Sequence, residues 1–453
     1  MKRRNFLNTL ALGTVAANQG WAAAGFTPYE TYPTVEVEGK ASRFGNDRDW
    51  FFKKRFGLFV HWGLYAIPGW HEQHQYRLGI PRKEYEKLMQ TFNPVDFDPD
   101  QWIDLMEKAG MKYLCFTTKH IDGFCMWDTK YTNYKITNTP YGKDILAMLA
   151  KACHRRNVPL CLYYSVVDNH HPNYPNQGRA HELPGPEEGD QPDQEKYLEF
   201  LRAQVTELCT QYGEIGGFWW DANRLGIQDR SVNQMIRELQ PGAVINNRGF
   251  DEGDFSTPER DFEKDDYRSF NRLTEACQAV GIESWGHRKN EDYYTNRHLI
   301  RSIDRYLARD ANYLLNVGPD PKGNIDSAER VILQRIGKWY HSVKESLENV
   351  EPASSLTSNR QVLLTQRGNT LYVHLNSEPA GNVVKLKPFT TAPRDAILLN
   401  TNQPVAWETV LSPQDYREKQ PYLRLINLPV NELCNTVLVI KLEFDRSPDE
   451  LVL

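Results

Sequence analysis

Polar residues able to do chemistry stand at the ends of apolar runs. The stretch Gly216-Gly217-Phe218-Trp219-Trp220-Asp221 puts a carboxylate directly behind two tryptophans. His61 follows Phe59-Val60, His120 follows Phe116-Thr117-Thr118-Lys119, Tyr163-Tyr164 close Leu160-Cys161-Leu162, and Arg248 closes Val244-Ile245-Asn246-Asn247. Asn316 sits inside Tyr313-Leu314-Leu315-Asn316-Val317. Singly, each has a bland role: a histidine after a strand caps a loop, Asp221 could cap the helix that follows, and Arg248 could pair with any nearby acid. Together they offer carboxylate, imidazole, phenol and guanidinium groups beside indole faces. That set suits a half-polar ligand such as a sugar, with hydroxyls for the donors and an apolar side for the rings. His71-Glu72-Gln73-His74 is not a metal motif, because H-E-x-x-H needs histidines four apart and here the step is three. No third ligand stands out and no C-x-x-C pair exists, so neither metal nor cofactor is expected.

Residues so far apart in sequence meet only if the chain builds a rim. Short apolar runs at 57–61, 112–118, 158–165, 215–220, 243–247 and 312–317 alternate with helical patterns at 100–109, 144–156, 194–212, 230–239 and 296–309. Continuous apolar strands separated by helices imply a parallel sheet covered on both sides. At this length a (β/α)8-like TIM barrel over residues 25–350 is expected, and its active residues would sit at the C-terminal ends of the strands, where the polar residues fall. No G-x-G-x-x-G follows the first strand, which argues against an open dinucleotide-binding sheet. The segment 351–359 reads as a linker. Beyond it, a hairpin around Arg367-Gly368-Asn369 and short strands up to residue 444 predict a small C-terminal antiparallel β-sandwich over 351–453.

The rest of the composition bounds the partners. The 453 residues are 40% hydrophobic and 25% charged, with 11 Trp, 23 Tyr and 19 Phe, and the formal charge is -5. No basic block lies outside the N-terminus, so no nucleic-acid partner and no anionic membrane surface is expected. The opening Met1-Lys2-Arg3-Arg4-Asn5-Phe6-Leu7, a short apolar run and Ala22-Ala23-Ala24 read as a twin-arginine-like export signal over residues 1–24, without a membrane anchor, and predict a periplasmic or secreted bacterial protein. The seven cysteines are scattered through apolar runs and read as buried thiols.

Eight words come in the order of the α-L-fucosidases of glycoside hydrolase family 29, which the chain resembles over roughly residues 51–350. They are Gly57-Leu58-Phe59-Val60-His61-Trp62-Gly63, Lys119-His120-Ile121-Asp122-Gly123-Phe124, Tyr163-Tyr164-Ser165, Trp219-Trp220-Asp221, Asn246-Asn247-Arg248, Ser256-Thr257-Pro258-Glu259, Ser284-Trp285-Gly286 and Asn312 through Pro319. The resemblance implies exo-acting, retaining release of terminal α-L-fucose from glycans through a covalent intermediate, which needs a carboxylate nucleophile and a second carboxyl roughly 5 Å away. Asp221 matches the nucleophile. Glu259 matches one family position for the acid/base, with Glu275 the runner-up; the acid/base must be protonated before attack. His61, His120, Tyr163, Trp219 and Arg248 match residues that hold the sugar or flank the reacting carbon.

Three departures bear on the substrate. Ile121 replaces the second histidine of the Lys-His-His-Asp-Gly-Phe word, the expected Glu-Trp pair reads as about His74-Gln75, and Asn169 stands where a tryptophan often occurs. They leave open a fucose-like sugar such as α-L-galactose, or a carbohydrate-binding relative without catalysis. A hydrogen-bonding pocket wall separates such sugars strongly and an apolar wall poorly.

Overall fold

The structure, a computed structural model, describes residues 42–260, 269–270 and 272–451. The expected export signal, residues 1–24, lies outside them. Seven parallel strands form the first sheet: β1 (Phe56–Val60), β2 (Tyr113–Lys119), β3 (Leu160–Ser165), β4 (Gly217–Asp221), β5 (Val244–Ile245), β6 (Glu275–Ala279) and β7 (Asn312–Val317), in the spatial order β5-β4-β3-β2-β1-β7-β6. The apolar runs announce six of them. Glu275-Ala276-Cys277-Gln278-Ala279 carries no apolar signature and forms a strand because β7 pairs with it, from Glu275 opposite Asn312 to Ala279 opposite Asn316.

Helices α1 (Pro99–Lys108), α2 (Ile145–Arg155), α3 (Gln194–Gln211), α4 (Arg230–Leu239), α5 (Asn296–Leu307) and α6 (Ser327–Val343) cover one side of the sheet. Each starts at a side chain that accepts a backbone N–H: Asp98, Asp144, Asp193, Asp229, Thr295 and Asp326 respectively. Asp229, not Asp221, therefore caps α4, which frees Asp221 from the bland role. Because side chains alternate across a strand, Leu58, Val60, Leu114, Phe116 and Leu162 pack against helix residues such as Leu149, Leu208 and Ile303. Phe59, Cys115, Cys161, Trp219, Cys277 and Leu314 form a second apolar cluster on the inner face. Segment 255–259 runs parallel to both outer strands of this sheet, with Asn246 bridged to Phe255, Ser256 to Thr274 and Glu259 to Cys277.

After α6 the strands are antiparallel. β8 (Glu351–Pro352), β9 (Leu363–Arg367), β10 (Thr370–His374), β12 (Asp395–Leu398), β13 (Gln403–Pro404) and β16 (Val439–Glu443) make a six-stranded sheet, while β11 (Val384–Leu386), β14 (Ala406–Val410) and β15 (Tyr422–Ile426) make a three-stranded one. Part of the expected linker is thus a strand: Glu351 pairs with Gln366 and Pro352 with Thr365. The β9–β10 hairpin turns where expected, with Gly368 at φ 57°, a left-handed conformation that glycine adopts without strain. The six-stranded sheet docks on α5 and α6. Trp339 Nε1 donates to Val437 O (3.0 Å) and His374 Nδ1 meets Asp304 Oδ1 (2.6 Å), both partners of the latter pair being fully buried. Six of the seven cysteines are buried and free, as expected, and Cys434 is exposed. Among the described residues no helix is long and apolar enough to cross a membrane.

Candidate active site

The strand ends deliver the polar residues to one place. Asp221 is the last residue of β4, in register with Ser165 at the end of β3. Its Oδ2 accepts the Tyr163 hydroxyl (2.7 Å) and its Oδ1 accepts Arg248 Nη1 (3.2 Å). Burial pushes the Asp221 carboxyl up, but the Arg248 guanidinium, then His181, the Tyr163 hydroxyl and His120, hold it at about 2. It is therefore an anion at neutral pH, with 22% of its side chain exposed.

Arg248 Nη1 also contacts Glu259 Oε2 at 2.8 Å. Legs of 3.2 and 2.8 Å from one nitrogen cap the gap between the two carboxylate oxygens at about 6 Å. Arg248 is itself fixed: Nε donates to Thr257 Oγ1 (2.7 Å) and Nη2 to Thr257 O (3.0 Å). Glu259 does not hang on a free loop. Cys277 N donates to Pro258 O (3.0 Å) and Arg260 N to Cys277 O (3.1 Å), so the segment that carries Glu259 is laid along β6.

Beside the carboxylates runs an aromatic ledge built from consecutive strands. The rings of His120 and Tyr163 stack at 5.7 Å (16° between planes), those of Tyr163 and Trp219 at 5.7 Å (19°), and the Arg248 guanidinium carbon lies 4.6 Å from the Trp219 ring centre. His61 lies 5.7 Å from His120 and 5.3 Å from Trp285, ring centre to ring centre. Asn316 Nδ2 donates to Trp285 O (2.6 Å), so its Oδ1 is the acceptor and the 2.7 Å contact with His61 places the proton on His61 Nδ1. Burial drives His61 down to about 4 and His120 to about 3, so both imidazoles are neutral at pH 7. His120 Nδ1 is buried and has no hydrogen-bond partner among the described residues, a group that a ligand hydroxyl would satisfy.

All seven sequence-predicted residues, His61, His120, Tyr163, Trp219, Asp221, Arg248 and Glu259, thus meet at one end of the sheet. Glu275 does not join them. It begins β6, two residues before the Cys277 that Glu259 faces, and lies below Trp219, where its oxygens accept Trp219 Nε1 (2.9 Å) and the Tyr113 hydroxyl (2.5 Å). The acid/base runner-up is thereby displaced from the mouth. The expected Glu-Trp pair is also corrected: Glu72, not a residue at 74–75, brings the carboxylate. Its Oε2 accepts Ser284 Oγ and Trp285 N, each at 2.9 Å. Burial opposes the Glu72 charge, but His71, His120, His61 and the Trp285 N–H hold its carboxyl well below the usual range. The sequence carried this signal in the acid of His71-Glu72-Gln73-His74, set aside there as a failed metal motif. Among the described residues no group of three or more His, Cys, Asp or Glu side chains could hold a metal ion.

His181 was missed altogether. It stands on the long segment between β3 and α3 at φ 73°, its ring edge-on to Tyr76 at 5.9 Å, and it is among the charges acting on Asp221. Asn169 clamps this segment, donating from Nδ2 to His181 O (2.9 Å) and accepting from Leu183 N (3.2 Å). Ile121 belongs to the main apolar cluster. The departures at 121 and 169 are therefore packing and loop-anchoring positions in this chain.

Most of the chain resembles known proteins. A family profile described as Alpha-L-fucosidase matches residues 34–345. The tissue alpha-L-fucosidase of Macaca fascicularis is 24% identical over 397 residues, covering 80% of this chain and 82% of that one. Among solved structures, alpha-L-fucosidase isoenzyme 1 from Paenibacillus thiaminolyticus is 33% identical and superposes with a TM-score of 0.78, covering 88% of this chain and all of that one. A family 29 alpha-L-fucosidase from Bacteroides thetaiotaomicron, trapped as a covalent intermediate with 2-fluoro-fucosyl fluoride, is 26% identical with a TM-score of 0.73, covering 90% of this chain and 97% of that one.

Proposed function

The chain belongs to the α-L-fucosidases of glycoside hydrolase family 29, and we propose the roles by which its residues release terminal α-L-fucose from glycans with retention. Asp221 attacks the anomeric carbon and becomes the glycosyl ester. Glu259 donates its proton to the departing oxygen and then, as a carboxylate, takes one from the incoming water. The observation that carries this reading is the pair of carboxylates on one guanidinium nitrogen, since a gap of no more than about 6 Å suits a nucleophile and leaves little room for a water between them. Arg248 keeps Asp221 ionised. When the glycosidic oxygen comes to Glu259, the Arg248–Glu259 contact gives way and leaves the guanidinium to the nucleophile. His61, His120 and Glu72 hold ring hydroxyls, and the Tyr163–Trp219 ledge meets the apolar side of the sugar.

The sheet is a closed (β/α)8-like barrel with segment 255–259 as its eighth strand, a reading supported by the bridges to Asn246, Thr274 and Cys277. The two antiparallel sheets form a β-sandwich over 351–453, supported by the cluster that joins Leu364 and Val373 to Leu386, Leu423 and Leu425. Export is supported by the N-terminal sequence alone, and N-terminal sequencing of the mature protein from a periplasmic fraction tests it.

The activity test is a panel of aryl glycosides with wild-type protein and Asp221→Asn. Turnover of the α-L-fucoside, above that of the α-L-galactoside, and its loss to a few per cent or less in the variant are expected. Undiminished activity in Asp221→Asn would remove this residue from the nucleophile role.

A further inference from the structure

Glu275 is a buried acid that the proposed reaction does not use. Glu275 is 2% exposed, faces away from solvent at the start of β6, and has both oxygens occupied by donors from strands that are not its neighbours, Tyr113 on β2 and Trp219 on β4. Around it stand Phe51, Cys115, Cys161 and Phe255, all buried. An interior like this packs as well with leucine, and burying a carboxyl there is unfavourable unless its hydrogen bonds do something packing cannot. What they do is orient Trp219. An indole among Phe59 (5.3 Å) and Tyr163 (5.7 Å) has apolar contacts that accept more than one ring angle, whereas Nε1–H to Glu275 accepts one.

We propose that Glu275 is a positioning residue for the hydrolysis: from beneath the site it fixes the Trp219 ring, and through that ring the guanidinium that Asp221 and Glu259 share. The linkage is continuous. Glu275 Oε1 holds the indole N–H, the indole face carries Arg248 at 4.6 Å and stacks on Tyr163, and both Arg248 and Tyr163 donate to Asp221. A turned indole moves both donors that keep the nucleophile ionised and aimed. The groups facing Glu275 add no second charge of its own sign: Tyr113 (β2), Cys115 (β2), Cys161 (β3) and Cys277 (β6) all have their acid forms favoured, chiefly by burial, and Arg248 is the cation. Burial pushes Glu275 itself up to about 7, against the Tyr113 and Trp219 hydrogen bonds and Arg248. When Glu275 is protonated one oxygen becomes a donor, and the two donors it now serves can no longer both be accepted in the same way. Turnover then carries an ionisation near neutrality that belongs to neither Asp221 nor the sugar.

This inference rests on Asp221 as nucleophile, and the experiment separates the two. Wild type, Glu275→Leu, Glu275→Gln, Trp219→Phe and the Glu275→Leu/Trp219→Phe double variant are compared in kcat and KM for an aryl α-L-fucoside between pH 5 and 9, per folded molecule by thermal melt, and in labelling of Asp221 by 2-fluoro-fucosyl fluoride. Labelling of wild type at Asp221 keeps the parent reading whatever the Glu275 variants do, and its absence sinks that reading first. Glu275→Leu and Trp219→Phe should each lower kcat roughly 10- to 100-fold, the worth of one hydrogen bond to a charged group, with KM within threefold. The double variant should be no slower than Trp219→Phe alone, because both changes break the same bond. Glu275→Gln, like the protonated acid, offers one acceptor and one donor, so it should hold kcat at the wild type's acid-limb value at every pH and lose the inflection near pH 7. Additive losses, wild-type kcat in folded Glu275→Leu, or an inflection that survives in Glu275→Gln would overturn the proposal.

Discussion

Replacing Arg248 by methionine keeps a long stem against Trp219 and removes the charge that two carboxylates share. At 3.2 Å and an effective dielectric of about 20, the guanidinium attracts Asp221 by about 5 kcal/mol. Water reaching a side chain that is 22% exposed returns part of this; counting roughly half leaves about 2.5 kcal/mol, or nearly two pH units. The sign follows from which form reacts. In its proposed role Asp221 reacts as the carboxylate, so activity is present above its native pKa and lost as the pH falls through it. In wild type that midpoint is at about 2, and in Arg248→Met it should rise to about 4. The assay is kcat/KM for an aryl α-L-fucoside from pH 3 to 8, with circular dichroism at each pH to keep the comparison to folded protein. At pH 7 the variant should also lose roughly 100-fold, since the contact that aims the Asp221 carboxylate is gone. A variant with no acid limb between pH 3 and 5 and a pH 7 rate within threefold of wild type would refute the assignment of Arg248 as the charge that keeps Asp221 ionised.

Glu72→Gln should lower kcat/KM by roughly 10- to 100-fold while leaving the melting temperature nearly unchanged, because the amide retains an acceptor for Ser284 and Trp285 but not the charge beside His61 and His120. Lys119 Nζ meets Asp168 Oδ2 at 2.7 Å in full burial, so Lys119→Met strands a buried carboxylate and should cost about 3–5 kcal/mol by urea denaturation. Burial raises Asp168 but Lys119 holds it at about 2; wild type therefore sheds this contribution as the pH falls from about 4 to about 2, a loss the variant should not show. His374→Ala removes one half of the buried His374–Asp304 pair between β10 and α5 and should destabilise by about 3 kcal/mol in the same measurement, with kcat per folded molecule unaltered.

The sequence announced the strands that are apolar from end to end and the residues that follow them, because a polar group closing such a run has few reasons to be there. It could not announce β6, whose Glu275 and Gln278 look like surface residues until β7 pairs with them. Nor could it place two glutamates sixteen positions apart: laid on parallel segments, Glu259 falls opposite Cys277 at the mouth, while Glu275 falls two residues lower, inside. Glu72 was visible as a residue and invisible as a ligand-facing one, since only the turn of the 284–286 backbone toward it turns an acid beside two histidines into a buried, hydrogen-bonded anion.

By itself, then, the sequence determined the alternation of buried strands and helices, the antiparallel C-terminal part, and Asp221 with its aromatic ledge. Those depend on local pattern, on residues adjacent along one strand, and on the rule that strand ends of one polarity gather. The acid that shares Arg248 with Asp221, the surroundings of Glu72 and His181, and the burial of Glu275 were decided by tertiary structure, because each depends on a distance between segments that register and loop path set and that no local pattern encodes.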